Sequence, residues 1–210
     1  MFQLFIDGGP VMYPLLLCSI LSLTVIIERA IFWIRVDIKK NLAIADEVLE
    51  LSRLGDWEGV RKKVAGSKNS VIRVLVSGVR HREFSMEKAM EAAAVDEVKR
   101  MRRNMGVLDT LITVAPLLGI LGTVTGIIAS FDSLGTSGIE HPQAVTAGIA
   151  EALITTAAGL GIAILSVLPY NYFNACVEEA VSIIEKYATS LEIVYEKLNS
   201  NGKKNGESAA

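Results

Sequence analysis

The basic residues of this chain are segregated, and that segregation constrains the fold more than any other feature of the sequence. All 21 Lys and Arg lie at Arg29, between Arg35 and Arg103, or between Lys186 and Lys204. None falls within 1–28 or 104–185. A soluble domain distributes charge over its whole surface, because every surface helix keeps a wet face. Here charge-free and charge-dense blocks alternate, as in a chain shared between two solvents. The bulk figures, 51% hydrophobic and 21% charged, conceal this pattern.

Three blocks are long enough to span a bilayer, which takes about 20 mainly apolar residues in helical form. Twenty uncharged residues separate Asp7 from Glu28, and twenty-two separate Asp109 from Asp132. Between Glu140 and Glu178 stand 37 residues carrying one charge, Glu151. None of these blocks has the polar face of a partly exposed soluble helix. The sequence therefore predicts an all-α integral membrane protein with three transmembrane helices and long helices extending into the cytoplasm.

Orientation follows from the basic residues. The segment 35–103 holds sixteen of the 21, and the connection 132–143 holds none. Positive-inside counting puts the long segment and the C-terminus in the cytoplasm, with the N-terminus and the short loop outside. The first span is not expected to be a cleaved signal peptide: Asp7 replaces the usual basic flank, and no small-residue cleavage site precedes the charges.

The expected organisation is a short periplasmic N-terminus (1–10), a first span (11–34), a cytoplasmic helical segment (35–105), a second span (106–132), a periplasmic loop (133–143), a third span (144–173), a cytoplasmic C-terminal helix (174–198) and a disordered tail (199–210). Within the cytoplasmic segment, apolar spacing predicts an amphipathic helix over 36–53, ended by Gly55. Asp56 is placed to cap a short helix to about Ala65, with Gly66 and Ser67 ending it. A third helix covers 70–81. Ser85 with Glu87 starts a charged helix expected to run unbroken into the second span. Pro116 and Pro169 are expected bends. The tail 199–210 has little to bury.

The spanning blocks contain unusually many small residues. Gly122 and Gly126 form GxxxG, and Ala115, Gly119 and Thr123 form a second ridge at i, i+4 spacing. In the third span Ala147, Glu151, Thr155, Gly159 and Ala163 repeat that spacing. Such ridges let helix backbones approach closely in lipid, where packing contact replaces escape from water. They are expected to hold an oligomer together.

Glu151 is the strongest chemical signal. An ionised carboxylate near the bilayer interior costs at least about 2.5–3.5 kcal/mol, so intramembrane acids mark functional sites by default. It lies about 10 Å inside the outer end of its helix, from the rise per residue. Thr123, Thr125, Thr155 and Thr156 are the other polar groups at that depth. Singly, a membrane threonine most often bonds the preceding turn's carbonyl. Thr123 and Thr156, on the two helices with small ridges, are expected to line a polar path with Glu151. Asp109 and Asp132 read as boundary residues, and Glu28 and Arg29 as a pair at the inner end of the first span.

Other chemistries find no support. His81 and His141 are isolated, so neither a metal nor a cofactor is expected. Cys18 and Cys176 are too few and too far apart in depth for a disulfide framework. The glycine runs lack a P-loop lysine, no nucleophile–base set clusters, and no basic, aromatic-laced stripe points to nucleic acid. An enzyme is not expected.

The second-span run A-P-L-L-G-I-L-G-T-V-T-G-I-I-A-S-F (115–131), the third-span run I-A-E-A-L-I-T-T-A-A-G-L (149–160), Y-N-Y-F at 170–173 and the Glu28–Arg29 pair resemble the ExbB/TolQ proton-channel family, most nearly an ExbB-type subunit. The resemblance implies a bacterial inner-membrane homopentamer around single-span ExbD- or TolR-like helices. Proton flow would drive work passed to TonB- or TolA-like proteins acting on the outer membrane. It places the family's polar pore residues on Thr123, Glu151 and Thr156, and the titrating aspartate on the partner helix. Members often carry proline where this chain has Leu165; Pro169 moves the expected bend. The short N-terminal region leaves force transfer mainly to the partners. A flagellar MotA-type stator, with four spans and a larger cytoplasmic domain, fits less well. A non-conducting oligomeric scaffold is the rival of another class.

Overall fold

A computed structural model describes residues 5, 7–36, 42–64, 67, 69–137 and 142–207, with the backbone alone at 136–137, 142–145 and 201–207. Expectations for 1–4 and 6 of the N-terminal segment, for the start of the 36–53 helix, for Gly66, for His141 and for 208–210 lie outside the described residues. Among those described, the secondary structure is helical: α1 (Met12–Arg35), α2 (Leu42–Arg53), α3 (Trp57–Lys63), α4 (Ser70–Arg80), α5 (Met86–Met101), α6 (Met105–Ser137) and α7 (Pro142–Glu207). Helices α1, α6 and α7 contain stretches long and apolar enough to cross a membrane, as the charge blocks predict.

The chain divides into two compact units, Met1–Ile31 with Asn104–Phe173, and Phe32–Arg103 with Asn174–Ala210. In the first unit each spanning helix buries one stripe at three- and four-residue spacing: Leu15, Cys18, Ser22, Val25 and Arg29 on α1, and Ala115, Gly119, Gly122, Gly126 and Ser130 on α6. On α7 the stripe is Ala152, Thr155, Gly159, Ala163 and Ser166. This is the period that keeps one helix face on its neighbours. On α6 and α7 these stripe residues are small or hydroxylated, whereas Leu17, Ile128, Leu153, Leu165 and Leu168 are exposed. Pro14 falls in the first turn of α1, where a backbone N–H has no helical partner. Pro116 and Pro169 lie inside unbroken helical runs.

The second unit follows the rules of water. Its core is Val48, Val60, Val71, Ile72, Val74, Leu75 and the α7 residues Val177, Ile184 and Leu191, each at most 2% exposed. Gly55, at φ +71°, ends α2. Asp56 then caps α3 by accepting from the Gly59 N–H at 2.9 Å. Asn69 accepts from the Val71 N–H at the start of α4, and the Ser85 hydroxyl accepts from the Lys88 N–H at the start of α5. Glu97 is buried and accepts from the Ser70 hydroxyl at 2.9 Å and from Arg73 at 3.0 Å. Arg100 stands 3.7 Å away. The Tyr187 hydroxyl donates to Asp46 at 2.8 Å. Burial, the Asp46 hydrogen bond and the Asp46 charge together push Tyr187 up to about 12.

Two expectations are corrected. The charged helix does not run unbroken into the second span: α5 stops at Met101 and α6 begins at Met105. Asn104 takes φ +62°, a left-handed conformation that Asn tolerates better than most residues. Within the first unit its side-chain amide donates to Glu28 at 3.2 Å, and Glu28 is paired with the buried Arg29. The tail, expected to be disordered from 199, is helical to Glu207. Extending an existing helix adds a hydrogen bond per residue without a new nucleus, so it needs no buried face.

Candidate functional site in the spanning unit

The small ridges of α6 and α7 meet each other within one chain. A Cβ built on Gly159 would lie 2.5 Å from the Ala115 carbonyl oxygen and 3.2 Å from the Gly119 Cα. One on Gly119 would lie 3.0 Å from the Thr155 carbonyl and 3.1 Å from the Thr156 Cα. Gly126 faces Ala152 and the Gly148 carbonyl in the same way, and a side chain at Gly122 would collide with Thr155. Each of these neighbours is backbone or a short side chain, so none can yield. The four glycines thus bring α6 and α7 into backbone contact inside the subunit, where the sequence reading assigned such ridges to contacts between subunits.

That close approach assembles a hydroxyl cluster. The Thr123 and Thr156 hydroxyls are hydrogen-bonded to each other. Thr156 Oγ1 also lies 3.1 Å from the Gly119 carbonyl, and Thr123 Oγ1 lies 3.2 Å from the carbonyls of Gly119 and Ala152. Thr155, 1% exposed, donates to the Ala152 carbonyl at 2.8 Å. Each hydroxyl has one proton to give and can accept in return, so the Thr123–Thr156 pair can be oriented either way: Thr156 toward Gly119 with Thr123 donating to it, or Thr123 toward Ala152 with Thr156 donating to it. Both threonines remain half-buried. Gly119, expected as a packing residue, also supplies the carbonyl at the centre of the cluster.

Glu151 is half-buried on α7, and its immediate neighbour is Gly9. Gly9 takes φ +64°, and a Cβ there would occupy the space of the Glu151 carboxyl. Gly8, beside it, is buried, and a Cβ on it would lie 3.2 Å from Ile154. The sequence pattern groups Glu151 with the threonines, whereas its neighbour here is Gly9; the Gly8-Gly9-Pro10 turn is the local signal for such a close approach. Missed from the sequence was the Ser22–Ser166 hydroxyl pair, at 2.6 Å between α1 and α7. Ser130, buried and bonded to the Gly126 carbonyl at 2.8 Å, was missed too.

Residues 66–186, which contain the whole threonine cluster and Glu151, match the model of the MotA/TolQ/ExbB proton channel family. The chain belongs to that family. Members similar to it include the putative biopolymer transport protein ExbB-like 1 of Synechocystis sp., 40% identical over 202 residues that cover 92% of this chain and 78% of the relative. The biopolymer transport protein ExbB of Neisseria meningitidis is 30% identical over 81% of this chain and 85% of its own length. The Tol-Pal system protein TolQ of Haemophilus influenzae is 36% identical over a shorter stretch, 50% of this chain and 47% of the relative. The family assignment and the three apolar helices together make this an all-helical membrane protein.

Proposed function

We propose that this chain is the proton-conducting stator subunit of an ExbB–ExbD or TolQ–TolR type motor in a bacterial inner membrane. In this reading a ring of copies, five by family resemblance, surrounds single-span partner helices. Proton entry drives motion passed to a TonB- or TolA-like protein. The N-terminus faces the periplasm and the charge-rich unit faces the cytoplasm, an orientation that positive-inside counting supports. Thr123, Thr155, Thr156 and Glu151 line the proton path. The driving force is the membrane gradient, about 2.3 kcal/mol per charge per 100 mV.

One observation carries the reading: hydroxyls of α6 and α7 are joined to each other and to helix carbonyls within the long apolar helices. Half-buried hydroxyls that can reverse their donor direction are suited to pass hydrogen bonds to water or to a neighbouring carboxylate. A non-conducting scaffold depends on the glycine ridges being free for oligomer contacts, and Gly119, Gly122, Gly126 and Gly159 are occupied within the chain.

The test is Glu151→Ala in cells that depend on the motor. Gradient-driven work is expected to be lost while the variant still co-purifies with its copies and its single-span partner. Normal work at equal expression would remove Glu151 from the path.

A further inference from the structure

The second unit contains a cavity that the channel reading does not use. It measures about 570 Å³ and is lined by Trp57, Arg61, Arg80 and Arg82 above a floor that includes Val60 and Val76. Pockets for small ligands fall in the range of about 300–1,000 Å³, with an apolar floor and few convergent polar groups. Among the described residues, the lining has three guanidinium groups and no carboxylate. Only Arg82 has an acid partner among the described residues, Glu83, at a loose 3.8 Å. A second concavity, about 300 Å³, shares Val64, Val76 and Arg80 with the first and adds Arg73, His81, Ser67 and Ser77, again with no acid among the described lining residues.

One side of the cavity wall, Trp57 with Arg82, is held in place. The Arg82 guanidinium lies over the Trp57 ring, 5.3 Å from its centroid, and donates to the Val79 carbonyl at 3.4 Å. The Arg82 carbonyl accepts from the Tyr195 hydroxyl at 2.7 Å, and the Tyr195 ring meets Trp57 edge-on at 6.1 Å. Trp57 and Arg82 are thereby fixed by α7. Arg61 and Arg80 stand exposed on α3 and α4. Three guanidinium groups around one hollow favour an anion within it, and their planar forks match phosphate oxygens two at a time.

We propose that this cavity is a binding site for a small phosphorylated ligand, its phosphates held by Arg61 and Arg80 and its apolar or planar body resting on the valine floor beside Trp57. The chain has two tryptophans, so a Trp33→Phe background leaves Trp57 as a fluorescent reporter inside the site. Trp33 Nε1 is buried without a partner among the described residues, so that replacement removes no hydrogen bond seen there.

In the full chain, adenosine diphosphate and pyrophosphate are expected to change Trp57 emission saturably, and adenosine is expected not to. Arg61→Glu and Arg80→Glu should each weaken the response at least about tenfold, Arg80→Lys should retain part of it, and Arg53→Ala, outside the cavity, should leave it intact. No saturable change up to about 10 mM of either phosphate would overturn the proposal. So would a response indifferent to Arg61 and Arg80. Pyrophosphate binding as tightly as the nucleotide would overturn the part given to the valine floor.

Discussion

The two units of this molecule solve opposite packing problems with one polypeptide. In the first, large aliphatic side chains such as Ile164, 59% exposed, lie on the outside, while Thr155, Ser166 and Ser22 are buried. In the second, Ile72, Val74 and Leu75 are buried completely, and charges lie on the surface in pairs such as Arg53–Glu50 and Lys63–Glu47. Water drives the second unit together by expelling apolar surface. Lipid offers no such force, so the first unit relies on close backbone contact and hydroxyl hydrogen bonds. The same inversion places chemistry. A polar group in the second unit is one of many, whereas in the first it has been retained against an insertion cost.

The sharpest way to break this contrast is to remove equal volume from each unit. Ile72→Ala should destabilise the second unit by about 2–5 kcal/mol, the usual cost of emptying a tight core site. Ile164→Ala should change stability by no more than about 0.5 kcal/mol. Denaturant titration of the protein in detergent, read by proteolysis within each unit, compares them. Similar losses would mean that the outward face of α7 packs against something stable.

Adding volume should produce the reverse asymmetry. Gly159→Val places carbon against the Ala115 carbonyl and should cost about 1–3 kcal/mol or more. A Cβ at Gly161 meets nothing within 4 Å, so Gly161→Ala should be neutral or stabilising by up to about 1 kcal/mol. The same detergent titration reads both. In the second unit, Glu97→Gln keeps the shape but removes the charge that Ser70 and Arg73 hold. It should cost about 1.5–3 kcal/mol, the range for hydrogen bonds to a charged group, as seen by earlier proteolysis of the α4–α5 hairpin.

The smallest effect is confined to alkaline pH. Tyr187 is raised to about 12 from an ordinary 10 by burial and by Asp46. A folded state that holds this proton more tightly is stabilised below pH 10, and the advantage is lost as the pH climbs toward 12. The wild type should therefore lose stability across that interval more steeply than Tyr187→Phe. Parallel curves would show that the Tyr187–Asp46 bond is not maintained in solution.

The spans, the cap at Asp56, the stop at Gly55 and the start at Ser85 were legible in the sequence because each is decided within a few residues. Period and polarity also marked Gly119, Gly122, Gly126 and Gly159 as contact residues. What they contact was not legible, because a ridge serves a neighbour in the same chain or in another copy equally well. The break at Asn104 had a local signal, two arginines followed by an asparagine, but its anchor is Glu28, 76 positions away. The pairing of Glu151 with Gly9 likewise depends on the packing of α7 against the chain's first turn, which no local pattern encodes. The Thr123–Thr156 contact was within reach only because both residues sat on small ridges.

The central claim is that the hydroxyls joined across α6 and α7 serve proton passage, and proton flux through liposomes tests it most directly. The chain would be reconstituted with the proposed single-span partner, as wild type, as Thr123→Val/Thr156→Val, which keeps side-chain shape, and as Glu151→Ala. We predict flux under an imposed gradient for the wild type, and loss of that flux in both variants with the assembled complex intact. Undiminished flux in the double threonine variant would contradict the account.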